Sequence, residues 1–550
     1  MTRRPILGIR SPAIHRQRQG RMHLIIRGAL AAATLPFFFV PAPGCSAQSA
    51  EREPLRTRAE RTNYVETSSY ADVVGFLERV AASHPAIQLT TFGYTSEARA
   101  LPLAVVGRGI EPTAESVRSS GKTVLYLQGN IHGGEVPGKE ALQMLLREIA
   151  MGERDPWLDD LVLLVAPIYN ADGNERMALT NRPRQHGPIG GMGTRPNAQG
   201  YDLNRDHMKL ESPEARSFAR LMTEYDPHVA VDLHTTNGTR HAYHLTYSPP
   251  LHPNTPGSID QLLRGELLPS VTNRVREKHG WDFYYYGNAS ARGGTEMGWY
   301  TFDHRPRFNN NYVGLRNRIA ILGEAYSYAT FEDRVLASLW LTQEIVDFVA
   351  GDPARIRRIV AAADAESLVG QSLATRAAFV RSAERVDILM GEVDEERHPL
   401  TGQLMLLRRD VSQAVPMYEY GTAEATETET VPAGYVIPAA LSDIVTRLRA
   451  HGVRLDLMSA DALEGESYHI DRIETAERAF QGRNEQTISG EYRVGRIDVE
   501  AGSWWIGMDQ PLARLAFSLL EPRSDDGFAN WGLLAEHLRA GGTYPISRVH

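Results

Sequence analysis

Between residues 65 and 350, short aliphatic runs alternate with stretches of helical periodicity, and this alternation limits the fold more than any other feature of the chain. The runs are LPLAVV at 101–106, TVLYLQ at 123–128, LVLLVA at 161–166, HVAVDL at 228–233 and RIAIL at 318–322. Continuous apolar runs of this length are strands buried on both faces rather than half-exposed ones. Helical patterns lie between them, over 136–150 and 211–225 among others. The order predicts an α/β domain, a largely parallel or mixed central sheet flanked by helices. The segment 173–200, rich in Gly, Pro and Asn, reads as a long surface loop, and loops of that length usually carry function.

Helical signals continue over 332–365, and the pattern then changes. Residues 383–440 alternate in the manner of strands and include TAEATETET at 422–430, read as an acidic, threonine-rich loop. Residues 490–508 read as a hairpin or meander, and 510–531 as a helix followed by an acidic turn. At 550 residues the chain has room for two or three domains. The expected division is a catalytic domain over 65–350 and a smaller α+β or β-rich accessory domain over 375–550. Packing of 510–531 back onto the catalytic domain is a hypothesis at this point. No internal repeat is visible.

The amino terminus has a different composition. Residues 1–27 hold seven arginines and no acid, and 28–40, GALAAATLPFFFV, is an apolar run short for a membrane span. Small residues follow. This is the layout of a secretory signal peptide over 1–47, with a polar lead-in over 48–64. The export expected from it is to the periplasm or the exterior. Cys45, the single cysteine, is a possible lipid anchor. The body of the chain therefore has neither a disulfide nor a thiol nucleophile. Removing 1–47 takes away seven of 59 basic residues and none of 67 acidic ones, which leaves a net charge of −15. Such a balance argues against nucleic acid as a partner. Oligomeric state is not legible.

The segment TVLYLQGNIHGGEVPGKE, 123–140, places His132 and Glu135 three residues apart in a glycine-bearing loop between a strand and a helix. An imidazole and a carboxylate so spaced can share one zinc ion. The spacing alone is weak, since 18 histidines make about one such pair expected by chance. The rest of the chain adds weight. His234 ends the strand VAVDLH and Glu324 ends the strand AILGE. All four groups fall just past the carboxyl ends of expected strands, where open α/β sheets form their ligand sites.

With these residues in view, the chain resembles the zinc carboxypeptidase family, which includes carboxypeptidases A and D, over about residues 65–345. His132, Glu135 and His234 match the family's zinc ligands, implying one Zn²⁺ per chain. TRPNAQGYDLNR resembles the family's arginine followed by Asp-x-Asn-Arg, with Arg195 nine residues before Asn204. Glu324, in ILGEAYSY, matches the general base. Asp202 matches the family's carboxylate behind a zinc-bound histidine, where it would orient His132.

These residues suit one chemistry. Zinc on three protein ligands keeps a position open for water. Glu324 can take the water's proton and pass it to the leaving amine. Arg195 can stabilise charge on the carbonyl oxygen. Arg205 offers a planar fork for a substrate's terminal carboxylate, with Asn204 beside it. Singly, each has an ordinary alternative as a solvated arginine, a strand-end acid, a turn residue or a helix cap.

Three departures stand out. Asp206 replaces the second asparagine of the family motif, which would weaken carboxylate binding or favour a cationic substrate. The family's substrate-capping tyrosine has two candidates, Tyr286 and Tyr312. Met297 is a candidate for the lining of the side-chain pocket, which would suggest an apolar or neutral preference. His241 and His244, three apart, form a rival metal pair but lack a carboxylate at comparable spacing, and a core or rim location is expected. His186 and His207 are expected to be exposed.

The leading expectation is an exported zinc carboxypeptidase acting on peptides with a free carboxyl terminus. A zinc amidase acting on N-acyl amino acids or cell-wall peptides is the alternative within enzymes, and an inactive zinc-bearing binding protein is the alternative outside them.

Overall fold

The computed structural model describes residues 55–236, 238–292 and 296–550. The expected signal peptide and Cys45 lie outside the described residues. Ten strands serve the first part of the chain: β1 Ile87–Tyr94, β2 Ala100–Val106, β3 Thr123–Gly129, β4 Leu161–Ala166, β5 Val229–Thr235, β6 Leu245–Ser248, β7 Phe283–Tyr285, β8 Asn288–Ser290, β9 Gly298–Tyr300 and β10 Ile319–Ala325. Eight of them form one sheet in the order β1-β2-β4-β3-β5-β10-β6-β7. The middle four, β4-β3-β5-β10, run parallel. The outer neighbours β1, β2 and β6 join antiparallel, so the sheet is mixed.

Every residue of β3, β4 and β5 is buried. Side chains alternate between the two faces of a strand. Leu125 and Leu127 of β3 enter one core with the helices α1 (Tyr70–Ser83), α2 (Pro137–Ala150), α4 (Leu268–His279) and α6 (Phe331–Gly351). Val124 and Tyr126 enter the other core with α3 (Pro213–Glu224) and α5 (Asn309–Leu315). Local sequence sets the helix starts. A Ser69–Asp72 capping box opens α1, Pro137 is the first residue of α2, and Ser212 caps α3. The helical signal over 332–365 resolves into α6 and α7 (Pro353–Asp364).

The second core is shared. Ile437, Val445, Phe517 and Trp531 join Val124, Phe218 and Tyr312 in one buried cluster. The described residues from 55 to 550 accordingly belong to one compact unit. The buried helix Ala513–Leu520 contributes to that cluster. Part of the expected lead-in is also built in, since Arg58–Arg61 form a capped helical turn with Ala59 buried.

The carboxyl-terminal part is rich in strands, and two expectations about it change. Thr422–Thr430 is not a loop. It pairs antiparallel with Ser372–Val380, and its alternation of threonine or alanine with glutamate suits a ribbon with exposed positions. The segment 490–508 does not fold on itself. Gln486–Val499 pairs with Asp461–Thr475 upstream, while Trp504–Gly507 pairs with Gly434–Ile437. Further on, Arg385–Met390 and Gln413–Tyr420 form a ribbon whose second strand continues onto β9 in parallel register.

Candidate metal centre and cleft

β3 ends at Gly129, and Asn130 takes up a left-handed conformation that turns the chain away from the sheet. Its side-chain amide donates to the carbonyls of His132 and Gly133, both at 3.2 Å, and so braces the loop that carries two of the sequence-predicted ligands. Close backbone contact holds the same loop from outside. A Cβ on Gly133 would lie 2.3 Å from the carbonyl carbon of Gly173, and one on Gly193 2.3 Å from the Gly173 oxygen. Only glycine fits there.

The loop brings His132 and Glu135 against His234 at the end of β5. Nδ1 of His132 lies 3.0 Å from Glu135 Oε1, and Nδ1 of His234 lies 2.9 Å from Glu135 Oε2. The two Nδ1 atoms are 3.3 Å apart, and all three residues are buried. One donor atom from each falls within 4.8 Å of the others. Two imidazole nitrogens and a carboxylate converging in a buried place fit a divalent cation of zinc type.

The far ring nitrogens are spoken for. Nε2 of His132 meets Asp202 Oδ1 at 3.0 Å, and Nε2 of His234 meets Asp232 Oδ2 at 2.8 Å. Such carboxylates fix the tautomer and turn Nδ1 inward. Asp232 belongs to no motif of the sequence. Its signal was present, because it stands two residues before His234 and so shares its face of β5. Gln128 donates to the other Asp232 oxygen at 3.0 Å. Despite burial, His132, Arg205 and Arg195 hold Asp202 well below the usual carboxylate range.

A cleft of about 900 Å³ opens over this cluster. Glu324, Arg195, Asn204, Arg205 and Tyr286 all line it. Glu324 Oε2 is buried without a hydrogen-bond partner among the described residues. Burial, with help from the Glu135 carboxylate, raises Glu324 to about 8 against the pull of His234 and Arg195. Arg195 binds Asp202 Oδ2 through Nε at 2.8 Å and reaches Glu135 with Nη1 at 3.5 Å. Asn204 accepts from the Asn309 amide at 2.7 Å, which fixes it at the head of α5. The Arg205 guanidinium lies 3.7 Å from the centroid of the Phe308 ring and donates to the Asn204 carbonyl at 2.6 Å. Arg182, on the long loop, also lines the cleft and bonds Glu135. No local pattern in the sequence marks it.

Other candidates lie elsewhere. Tyr312 is fully buried in the second core, stacked on His207 and bonded to His451 Nδ1 at 2.9 Å. The phase of α5 turns it inward, so of the two candidates Tyr286 lines the cleft, where Tyr328 lies as well. His207 is buried too, against expectation, between the rings of Phe218 and Tyr312. Asp206 points away from the cleft. Its carboxylate is taken up by Lys209 Nζ at 2.6 Å and by the amides of Glu211 and Ser212, so it offers no charge to a substrate. Met297 is 46% exposed and does not line the cleft, whose apolar wall is Leu322, Phe302 and Phe308. His241 packs on Tyr326 and His244 stacks on Trp281, with no carboxylate partner for either among the described residues.

The family match agrees with this geometry. Residues 73–254 match the zinc carboxypeptidase family (Peptidase_M14). Carboxypeptidase 2 of Trichophyton rubrum is 25% identical over 513 residues, covering 86% of this chain and 85% of its own length. Carboxypeptidase D of Anas platyrhynchos is 31% identical over 143 residues, 25% of this chain and 9% of that protein. Among solved structures, a metallo-carboxypeptidase from Burkholderia cenocepacia is similar at a TM-score of 0.39 and 15% identity, over 52% of this chain and 70% of that one.

Proposed function

We propose that this metallocarboxypeptidase hydrolase, whose residues 73–254 carry a zinc carboxypeptidase domain, removes the last residue from peptides with a free carboxyl terminus. The observation that carries the reading is the meeting in one cleft of Glu324, whose Oε2 has no hydrogen-bond partner among the described residues, a His-Glu-His cluster, Arg195 and Arg205.

His132, Glu135 and His234 would hold the ion, each histidine through Nδ1. Zinc bound there supplies Lewis acidity towards water and towards the scissile carbonyl. The remaining work belongs to side chains of this chain. Arg205 and Asn204 receive the terminal carboxylate, the arginine through a charge-assisted pair of hydrogen bonds. The side chain of the departing residue lies against Leu322, Phe302, Phe308 and Tyr286, a lining that suits apolar side chains. Glu324 Oε2 takes a proton from water and returns it to the leaving amine. The Arg195 Nη groups, with Nε anchored on Asp202, stabilise negative charge developing on the carbonyl oxygen. The arginine-rich start and the apolar run at 28–40 support export of the chain.

A mixed peptide library tests the reading. Stepwise loss of carboxyl-terminal residues, abolished by a chelator and in Glu324→Gln, is the expected result. Intact peptides from an enzyme with stoichiometric zinc would overturn it and turn attention to N-acyl amino acids.

A further inference from the structure

We infer that Gln481, at the tip of the long carboxyl-terminal hairpin, is a positioning residue for the cleft segment Asp202–Arg205. The hairpin arms are Asp461–Thr475 and Gln486–Val499, and their pairing extends beyond the strands to a bond from Ala476 N to Glu485 O at 2.8 Å. The tip itself is a two-residue turn. Phe480 and Arg483 exchange both backbone hydrogen bonds, at 2.7 and 3.1 Å, and Gln481 and Gly482 between them have φ of 49° and 80°. Such turns favour asparagine or glycine at the first of these positions, and a glutamine there is costly.

What the glutamine contributes is reach. Its Oε1 accepts from the backbone amide of Asp202 at 2.8 Å. The carboxylate of that same aspartate bonds His132 Nε2, the Asn204 amide at 3.0 Å and Arg195 Nε. One acceptor from the carboxyl-terminal part thus fixes the residue that joins a metal-ligand candidate to the substrate-binding segment. The tip is clamped independently on both sides. Arg483 pairs with Glu211 at 2.6 Å, and Phe480 stacks on Trp531 with centroids 6.1 Å apart. Gly482 lies against the Tyr201 ring, which a Cβ would approach to 3.4 Å. Contacts of Arg483, Phe480 and Gly482 therefore hold the tip apart from the Gln481 side chain, which acts on the loop.

The inference rests on the carboxypeptidase reading for its activity readout only. Gln481→Asn is the informative variant, because asparagine suits the left-handed turn better but falls one methylene short of the Asp202 amide. Full-length, zinc-loaded Q481N is expected to melt at or above the wild-type temperature. Its kcat/KM on a peptide with a free carboxyl terminus should fall about tenfold, and it should lose zinc to a competing chelator several-fold faster. Gln481→Glu, which keeps an acceptor of the same length, is expected within about threefold of wild type in both measurements. Wild-type activity and zinc retention in Q481N, or a loss in Q481E equal to that in Q481N, would overturn the inference. A wild-type enzyme that cleaves no peptide would defeat the proposed function instead, and zinc release would still decide the role of Gln481.

Discussion

Glu324 stands directly opposite His234 in the parallel register of β10 and β5. Neighbouring strands lie about 4.8 Å apart, and residues in register project to the same side. The spacing between the proposed base and a proposed metal ligand is thus built into the sheet, and no loop has to set it.

Glu324→Gln removes the acceptor of the proton while keeping the shape. A fall in kcat of about 10²- to 10⁴-fold is expected, with zinc content and melting temperature unchanged. Steady-state kinetics beside metal analysis would check it. Activity within about tenfold of wild type would remove Glu324 from the mechanism.

Asp232→Asn leaves His234 Nε2 facing a neutral amide. A roughly 10- to 100-fold loss of zinc affinity or activity is expected, measured by titration with a chelating competitor. Asp232 lies behind His234 on the same strand and does not line the cleft, so an unchanged affinity would mean that packing alone orients His234.

Arg205→Ala removes the fork offered to the terminal carboxylate. A hydrogen-bonded charge pair is worth about 1.5–3 kcal/mol, roughly 10- to 150-fold in kcat/KM, and the loss is expected chiefly in KM. An N-blocked dipeptide substrate would show it. An equal fall in kcat at constant KM would point to a catalytic rather than a binding role.

Acid should destabilise the fold. Burial holds His207 down to about 4 and His252 and His451 down to about 3, whereas unfolded histidine titrates near 6.5. Between those values the unfolded chain binds more protons, so stability is full above about pH 6.5 and is lost as pH falls towards 3–4. Thermal melts from about pH 8 to about pH 4.5 should decline below about pH 6.5. His451→Gln should flatten the decline, and an unaltered slope would assign it to carboxylates.

Much of this was legible because the parallel strands are buried on both faces. TVLYLQ, VAVDLH and AILGE admit few other readings, and their ends place His132, Glu135, His234 and Glu324 on one sheet edge. Thr422–Thr430 misled because it forms an exposed ribbon, where the usual apolar signal is absent. Tyr312 is not placed by sequence because Phe308, one helical turn before it, lines the cleft, while Tyr312 itself packs on His207 and bonds His451. Arg182 and Gln481 have no local signature. Gln481 meets Asp202 across 279 residues of sequence, a contact set by tertiary packing alone.

Removing 372–550 should not yield a free-standing enzyme. Strand Gln413–Tyr420 pairs with β9, and Phe517 and Trp531 fill the core beneath β3. A truncated chain would expose that edge and that apolar surface, and insoluble expression is expected. A soluble, fully active truncation would show that the two parts fold separately.

The contact of Gly133 and Gly193 with the backbone of Gly173 has a consequence for anyone who diversifies this cleft. Saturation libraries at 133 and 193 should return glycine alone among active clones, since even alanine would collide with main chain that has nowhere to retreat. Variation aimed at new substrates belongs instead on the Phe302, Phe308 and Leu322 wall, where side chain meets side chain and neighbours can repack.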